Sequence, residues 1–246
     1  MAATSMKWNI HHVKSVGSTQ QLLREKAVSG AGEGTVVYAD KQTGGRGRQG
    51  RQWDSPVGNL YCSLLLKPQC SLQEAGLYAF IVAVALANTI EDIIDADGIQ
   101  PKLKWPNDVL IEKRKCAGIL LETETNSKNI VTDLFIGFGV NILSQHESDR
   151  IGLSDYVEGV SKETVLNKFL KNLGYFINIY NKNGFPLIAS GWRSYAFGLG
   201  ERGRARTASG EYHGVFKDLD DDGALLLLLD NGDIKRITAG DVYFER

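Results

Sequence analysis

An α/β chain that ends in a small all-β barrel is the fold class this sequence predicts. Two stretches with helical patterning, "LQEAGLYAFIVAVALANTIEDII" and "KETVLNKFLKNLGYFINIYNKNG", are set among short runs rich in Val, Leu, Ile and Tyr. Long periodic segments interleaved with short β-branched ones make an α/β arrangement. Composition then shifts between Gly198 and Gly203. Beyond it come "GRARTAS", "GEYHGVFKDL", "GALLLLLD" and "GDIKRITAGDVYF". Short strands at that spacing, joined by tight turns, suggest a barrel. The chain is therefore divided into residues 1–197 and 198–246, with no internal repeat and no low-complexity linker.

Each element has its own signal. Ser18 opens the first helix as an N-cap, and Gln21 three residues on completes a capping-box pattern. Leu22, Leu23 and Ala27 give that helix an apolar face and Gly30 stops it. "GTVVYADKQ" reads as a strand that feeds a glycine–arginine loop, and "NLYCSLLLKP" as a second strand ended by Pro68. The alanine-rich stretch from Leu72 is apolar nearly throughout, so it should be a buried helix. "KLKWPNDVLIEKRKCAGILLETE" reads as a hairpin with its charged turn at Glu112 to Lys115, and "NIVTDLFIGFGVNIL" as a further strand. Val165, Leu166, Phe169, Leu173, Phe176 and Ile177 fall on one side of the second long helix.

Composition excludes several classes of function. The chain has 246 residues, 43% of them hydrophobic, and a net charge of −1, so the molecule as a whole is no polyanion binder. Cys62, Cys70 and Cys116 form no CxxC and cannot all pair, which indicates free thiols in a reducing compartment. His11, His12, His146 and His213 show no metal-ligand spacing. The start "MAATSMKWN" has no apolar signal core, and the longest aliphatic run, Leu225 to Leu229, is too short to cross a bilayer. A cytoplasmic setting is expected, without membrane or nucleic-acid partners.

The segment "GGRGRQGRQW", Gly44 to Trp53, places three arginines among glycines, with no acid between Asp40 and Asp54. Glycine lets a backbone approach a phosphate, and arginine forks onto two of its oxygens. The same composition also suits an RGG-like RNA segment or a solvated turn. In "KWPND", Asn107 and Asp108 can offer oxygens to a hard cation such as Mg²⁺, or the motif is a turn around a buried Trp105. Lys113, Arg114 and Lys115 put cations beside Gly118, where a ligand can lie against the backbone. Asp218, Asp220, Asp222 and Gly223 imitate half an EF-hand, but Leu229 holds the place of its last ligand, so an acidic hairpin turn is expected.

Taken in order, "ST" at Ser18–Thr19, "QTGGRGRQGRQW", "GNLYCSLLL", "KWPNDVLI", "KCAGILLE" and "GFGVNI" resemble the signature blocks of biotin protein ligases. The resemblance is dense from about Val16 to Asn141 and looser through the barrel. It implies a class II aminoacyl-tRNA synthetase-like catalytic domain, a mixed sheet flanked by helices, followed by an SH3-like barrel. It implies activation of biotin by ATP to biotinyl-5′-AMP, then transfer to a lysine of a biotin carboxyl carrier domain. ATP and Mg²⁺ are the implied nucleotide and metal, and a homodimer is an implied assembly. Ser18, Thr19 and Gln42 match ureido-ring positions, and Gly45 and Arg46 match the segment along biotin and its activated carboxyl. Arg48 and Arg51 match phosphate and adenylate contacts, Trp53 the aromatic cover, and Asn107 a nucleotide position. Lys115 matches the lysine bridging carboxylate and α-phosphate, Gly118 the biotin pocket lining, Asn141 a residue near the phosphates or Mg²⁺, and Asp108 a candidate Mg²⁺ ligand. Lys115, Arg48 and Arg46 are thereby the catalytic candidates. Gln49 stands where many relatives carry another arginine. Only 17 residues precede Ser18, too few for a helix-turn-helix, so the single-function form without a repressor role is expected.

Overall fold

The computed structural model describes residues 6–95, 98–143 and 149–244; His146 lies outside them. Strand β1 (Asn9–Val16), helix α1 (Thr19–Val28) and strand β2 (Thr35–Gln42) form a parallel β–α–β crossover, with Val16 beside Gln42. Strand β3 (Leu60–Leu66) pairs antiparallel with β2, and helix α2 (Leu72–Ile94) follows. Strands β4 (Lys102–Lys104), β5 (Asp108–Ile111), β6 (Arg114–Thr125) and β7 (Val131–Val140) complete a seven-stranded sheet in the order β1-β2-β3-β7-β6-β5-β4. One parallel pair in an otherwise antiparallel sheet makes it mixed.

Alternation along the strands decides which helix covers which face. Val36, Leu64, Leu66, Leu134, Ile136 and Phe138 point into the large core. Their neighbours Val37, Leu65 and Phe135 meet Leu23 of α1 in a small separate cluster on the opposite side. This is the two-residue period of a strand expressed as two faces. The large core is covered by α2, by helix α3 (Lys162–Asn183) and by helix α4 (Phe185–Tyr195). Helix α2 is apolar and long enough to cross a membrane, but 72% of its most apolar window is buried, so it is a core helix here. A capping box holds its start: Glu74 N–H donates to Ser71 Oγ at 3.2 Å, and Ser71 N–H donates to Glu74 Oε2 at 2.8 Å.

The carboxy-terminal strands β8 (Arg202–Thr207), β9 (Gly210–Leu219), β10 (Leu225–Leu229), β11 (Ile234–Ile237) and β12 (Asp241–Phe244) form a five-stranded antiparallel sheet, order β11-β10-β9-β8-β12. This fits a small SH3-like unit. Its apolar residues Phe216, Leu225 and Val242 are continuous with the main core. The turn from Asp220 to Ala224 joins β9 and β10, and Asp220 and Asp222 both pair with Arg236, as an acidic hairpin turn should. Trp105 reaches this turn, its indole N–H donating to Gly223 O at 3.0 Å.

Several elements differ from the expectation. Strand β1 and helix α4 carried no clear sequence signal. Gln21 does not close a capping box: its side chain donates to Glu25 instead. The expected hairpin after Lys102 is three strands, with "WPN" turning between β4 and β5. The next turn is only Glu112 and Lys113, with φ of 49° and 65°, because Ile111 pairs directly with Arg114. Lys115 is therefore a strand residue and not part of a turn.

Candidate active site

The parallel pairing of β1 and β2 delivers the start of α1 to the end of β2. Gln42 Oε1 there accepts from Thr19 N–H at 2.8 Å and from Thr19 Oγ1 at 3.1 Å. Thr19 Oγ1 and Ser63 Oγ of β3 are 2.9 Å apart, and Gln42 Nε2 donates to Ser55 Oγ at 3.0 Å. With the threonine proton directed at Gln42, the serine hydroxyl donates to Thr19. Each polar group in this neutral wall thus has a fixed direction. Ser18 caps α1 only through a long 3.5 Å contact from Gln21 N–H, so its hydroxyl retains hydrogen-bonding capacity.

The arginine loop is folded across the sheet. Arg46 and Gln52 form an isolated antiparallel bridge, Gly47 N–H donates to Arg51 O at 2.7 Å, and Trp53 N–H to Gly45 O at 3.0 Å. Arg48 Nη1 donates to Asn107 Oδ1 at 3.0 Å and Nη2 to Gly240 O at 3.1 Å. Asp241 pairs with Arg51 and lies 3.5 Å from Arg48. The acid absent from the loop's own neighbourhood in sequence is supplied by β12. Burial lowers the Arg48 guanidinium pKa, and Asp241 and then Asp108 oppose that shift.

Two glycines explain where Trp53 sits. A Cβ on Gly139 would lie 2.7 Å from the indole, and one on Gly118 would lie 2.8 Å from it. The indole therefore packs flat against β6 and β7 where no side chain intervenes. Gly118 thereby makes room for Trp53 and for the Lys115 stem, 3.0 Å from the same imagined Cβ. Lys115 Nζ stands 4.9 Å over the Trp53 ring and 2.7 Å from Asp108 Oδ1. A bridge to Arg150 and bonds to Asp149 O (2.8 Å) and from Ile151 N–H (3.1 Å) fix its backbone.

These groups line one cavity of about 240 Å³. Of the residues singled out in the sequence, Ser18, Thr19, Gln42, Arg46, Arg48, Arg51, Trp53, Asn107, Asp108, Lys115 and Gly118 are on its wall. Gly45 stands just behind it, packed on Trp53 O and Ser55 Oγ. Asn141, expected near the phosphates, is not on the wall: it is buried, and its Nδ2 donates to Lys115 O at 3.0 Å. Asp108, considered as a metal ligand, has Lys115 Nζ at 2.7 Å. Among the described residues no group of three or more His, Cys, Asp or Glu could hold a metal. A wider, more open hollow of about 610 Å³ at Asn9, Glu25 and Gly32 collects no comparable chemistry.

Sequence reasoning missed Ser63, Gln20 and Asp241, all on the cavity wall. Ser63 was hidden inside an apolar strand. Gln20, buried with Nε2 on Phe135 O, was masked by its helix. Asp241 had no local signal.

The chain is similar to known proteins along nearly its whole length. Residues 13–141 match the biotin/lipoate A/B protein ligase family, and residues 198–245 match the biotin protein ligase C-terminal domain. The bifunctional ligase/repressor BirA of Bacillus subtilis is 38% identical over 236 residues, covering 92% of this chain and 71% of that protein. The biotin–[acetyl-CoA-carboxylase] ligase of Paracoccus denitrificans is 32% identical, over 89% of this chain and 94% of that one. The biotin protein ligase of Aquifex aeolicus, solved in complex with biotin and ATP, superposes with a TM-score of 0.81 at 31% identity, covering 97% of this chain and 99% of that chain.

Proposed function

The chain belongs to the biotin/lipoate A/B protein ligase family, and from that premise we propose that it is an ATP-dependent biotin protein ligase that works through the cavity just described. The observation that carries the reading is the meeting, in one cavity, of a neutral hydrogen-bonding wall and a cationic one, with Lys115 between them. A cyclic urea needs both donors and acceptors held in place, which Ser18, Thr19, Gln42 and Ser63 provide. A nucleotide phosphate needs cationic forks, which Arg46, Arg48 and Arg51 provide.

In the first step a carboxylate oxygen of biotin attacks the α-phosphorus of ATP. The acyl–oxygen–phosphorus bond forms, the bond to the β-phosphate oxygen breaks, and pyrophosphate leaves. Biotin's carboxylate is already ionised at neutral pH, so no strong base is required. Catalysis is positioning together with stabilisation of charge on the transferring phosphate. In this reading Lys115 Nζ touches the carboxylate and the α-phosphate together. Asp108 holds that ammonium in position. Asn107 fixes Arg48, and Asn141 anchors the Lys115 backbone. Mg²⁺ brought in with ATP would be held mainly by the phosphate oxygens and water, and would supply charge neutralisation on the phosphates.

In the second step the neutral amine of a carrier lysine attacks the acyl carbon. An amide forms, AMP leaves, and the amine's proton departs. Trp53 and the arginine loop cover the mixed anhydride and keep water from it until the carrier arrives. The protein partner is a biotin carboxyl carrier domain. The test is incubation with biotin, ATP, Mg²⁺ and such a domain, with mass spectrometry of the carrier lysine. Biotinylation with release of pyrophosphate supports the reading. Modification by lipoate in place of biotin would move the chain to the other branch of its family. Salt-sensitive RNA binding without ATP turnover would displace the enzymatic reading altogether.

A further inference from the structure

We infer that Asp241, on barrel strand β12, is the positioning residue for the arginine loop, so that the barrel sets how the site takes hold of ATP; this rests on the reading of the cavity as the nucleotide site. The loop contains no acid of its own, yet Arg48 and Arg51 are not left to repel one another. One carboxylate serves both: Asp241 pairs with Arg51 and stands 3.5 Å from Arg48. The next oxygen along the chain, Gly240 O, accepts from Arg48 at 3.1 Å, and Asn107 Oδ1 accepts from the other side at 3.0 Å. The Arg48 guanidinium is therefore held between the catalytic sheet and the barrel, with its side chain only 22% exposed. A guanidinium has five N–H donors, so these partners leave some free to meet a phosphate.

Strand β12 is itself tied down. It pairs with β8, Asp241 beside Arg206. Tyr243, two residues on, has Lys104 of β4 at 5.4 Å from its ring and Arg204 at 4.9 Å. Arg204 and Arg206 are already paired with Glu211, so Asp241 is available to the loop. A glycine-rich loop loses much conformational entropy when it is ordered. An anion supplied by a fixed strand offsets part of that loss before any nucleotide binds.

A carboxylate beside a phosphate site could instead act as a competitor of ATP. The two roles predict opposite signs. If Asp241 positions the loop, Asp241→Asn raises KM for ATP in the pyrophosphate-release assay by about tenfold or more, the scale of a lost charge-assisted contact. The dissociation constant for biotin, measured by calorimetry, then changes by less than about twofold, since Thr19 and Gln42 are untouched. Limited trypsin cleavage after Arg46 and Arg48, without nucleotide, becomes faster in Asp241→Asn, and Asp241→Glu restores most of the protection. An unchanged or lowered KM for ATP overturns the inference, as does equal cleavage in wild type and Asp241→Asn. Arg51→Gln, which removes the pair from its exposed side, gives the same cleavage test if Asp241→Asn fails to fold; an equally protected loop there also overturns it. Wild type is assayed in parallel. If it releases no pyrophosphate from biotin and ATP, the functional reading has failed, and the trypsin result still decides the latch.

Discussion

At its neutral end the cavity is walled by Thr19, Gln42 and Ser63, carried by a helix start and two adjacent strands; at its charged end it is walled by Arg48, Arg51 and Asp241, carried by a loop and by a strand 190 residues further on from Arg51. The first end is built of uncharged groups whose hydrogen bonds follow from the sheet's own pairing. The second is built of ion pairs that bridge two structural units. The difference matches the ligand parts each end is proposed to hold. A small ring must be recognised by direction, and direction comes from a rigid, nearly dry wall: Thr19 is 3% exposed and Ser63 1%. A polyphosphate must be gripped and later released, and that suits a loop whose outer arginine is 58% exposed. Exposed pairs are worth little and exchange readily, whereas a buried hydroxyl left without its partner is costly.

The largest effect should come where the two ends meet. Lys115→Ala is expected to slow adenylate formation by about 100-fold or more, the scale of a lost oxyanion donor, while the melting temperature is little changed because its side chain is 31% exposed. Near-normal pyrophosphate release would remove Lys115 from the chemistry and leave the ends unconnected.

Arg48→Gly tests the charged end alone. A charge-assisted hydrogen bond is worth roughly 1.5–3 kcal/mol, so biotinyl-AMP should escape about tenfold to a hundredfold faster. Some adenylate should still be made, because Lys115 remains. Release of labelled intermediate measures this, and equal rates in wild type and mutant would deprive the loop of its retaining role.

Thr19→Val tests the neutral end. It removes one of the two donors to Gln42 Oε1, leaving only the backbone N–H of residue 19, and strands the Ser63 hydroxyl, so biotin affinity by calorimetry should fall by about tenfold. KM for ATP should hold within about twofold if the ends are independent. A comparable loss in both would show that they are coupled.

The smallest effect serves as a baseline outside the cavity. Lys162 and then His12 hold Asp40 below the usual carboxylate range. A depressed carboxylate contributes stability above its unfolded pKa and loses it as the pH falls through the folded value. Lys162→Met should therefore make acid destabilisation slightly shallower below about pH 4, by less than about 1 kcal/mol for a pair this near the surface. Chemical unfolding across that range checks it, and an unchanged slope would remove Lys162 as the cause.

Much of this protein follows from its sequence alone. The buried helix from Leu72 to Ile94 is legible because its apolar residues encircle it. The acidic turn at Asp220 and Asp222 and the strands that lead into and out of the arginine loop are legible for similarly local reasons. Eleven of the cavity's lining residues are legible because short motifs carry them, since a glycine–arginine run or "KWPND" has meaning within a few positions. Strand β1 was illegible because it is a sheet edge with little buried surface: Ile10 is 42% exposed, so no alternation is imposed on its residues. Helix α4 was obscured by Pro186 and Gly191 within eleven residues, although burial of Trp192 secures it. The position of Lys115 on a strand depended on a turn formed by Glu112 and Lys113, neither a usual residue for positive φ. Which acid answers the loop's arginines was decided by tertiary structure alone. A charge pair depends on distance in space, and nothing near Arg51 in the chain refers to a carboxylate on β12.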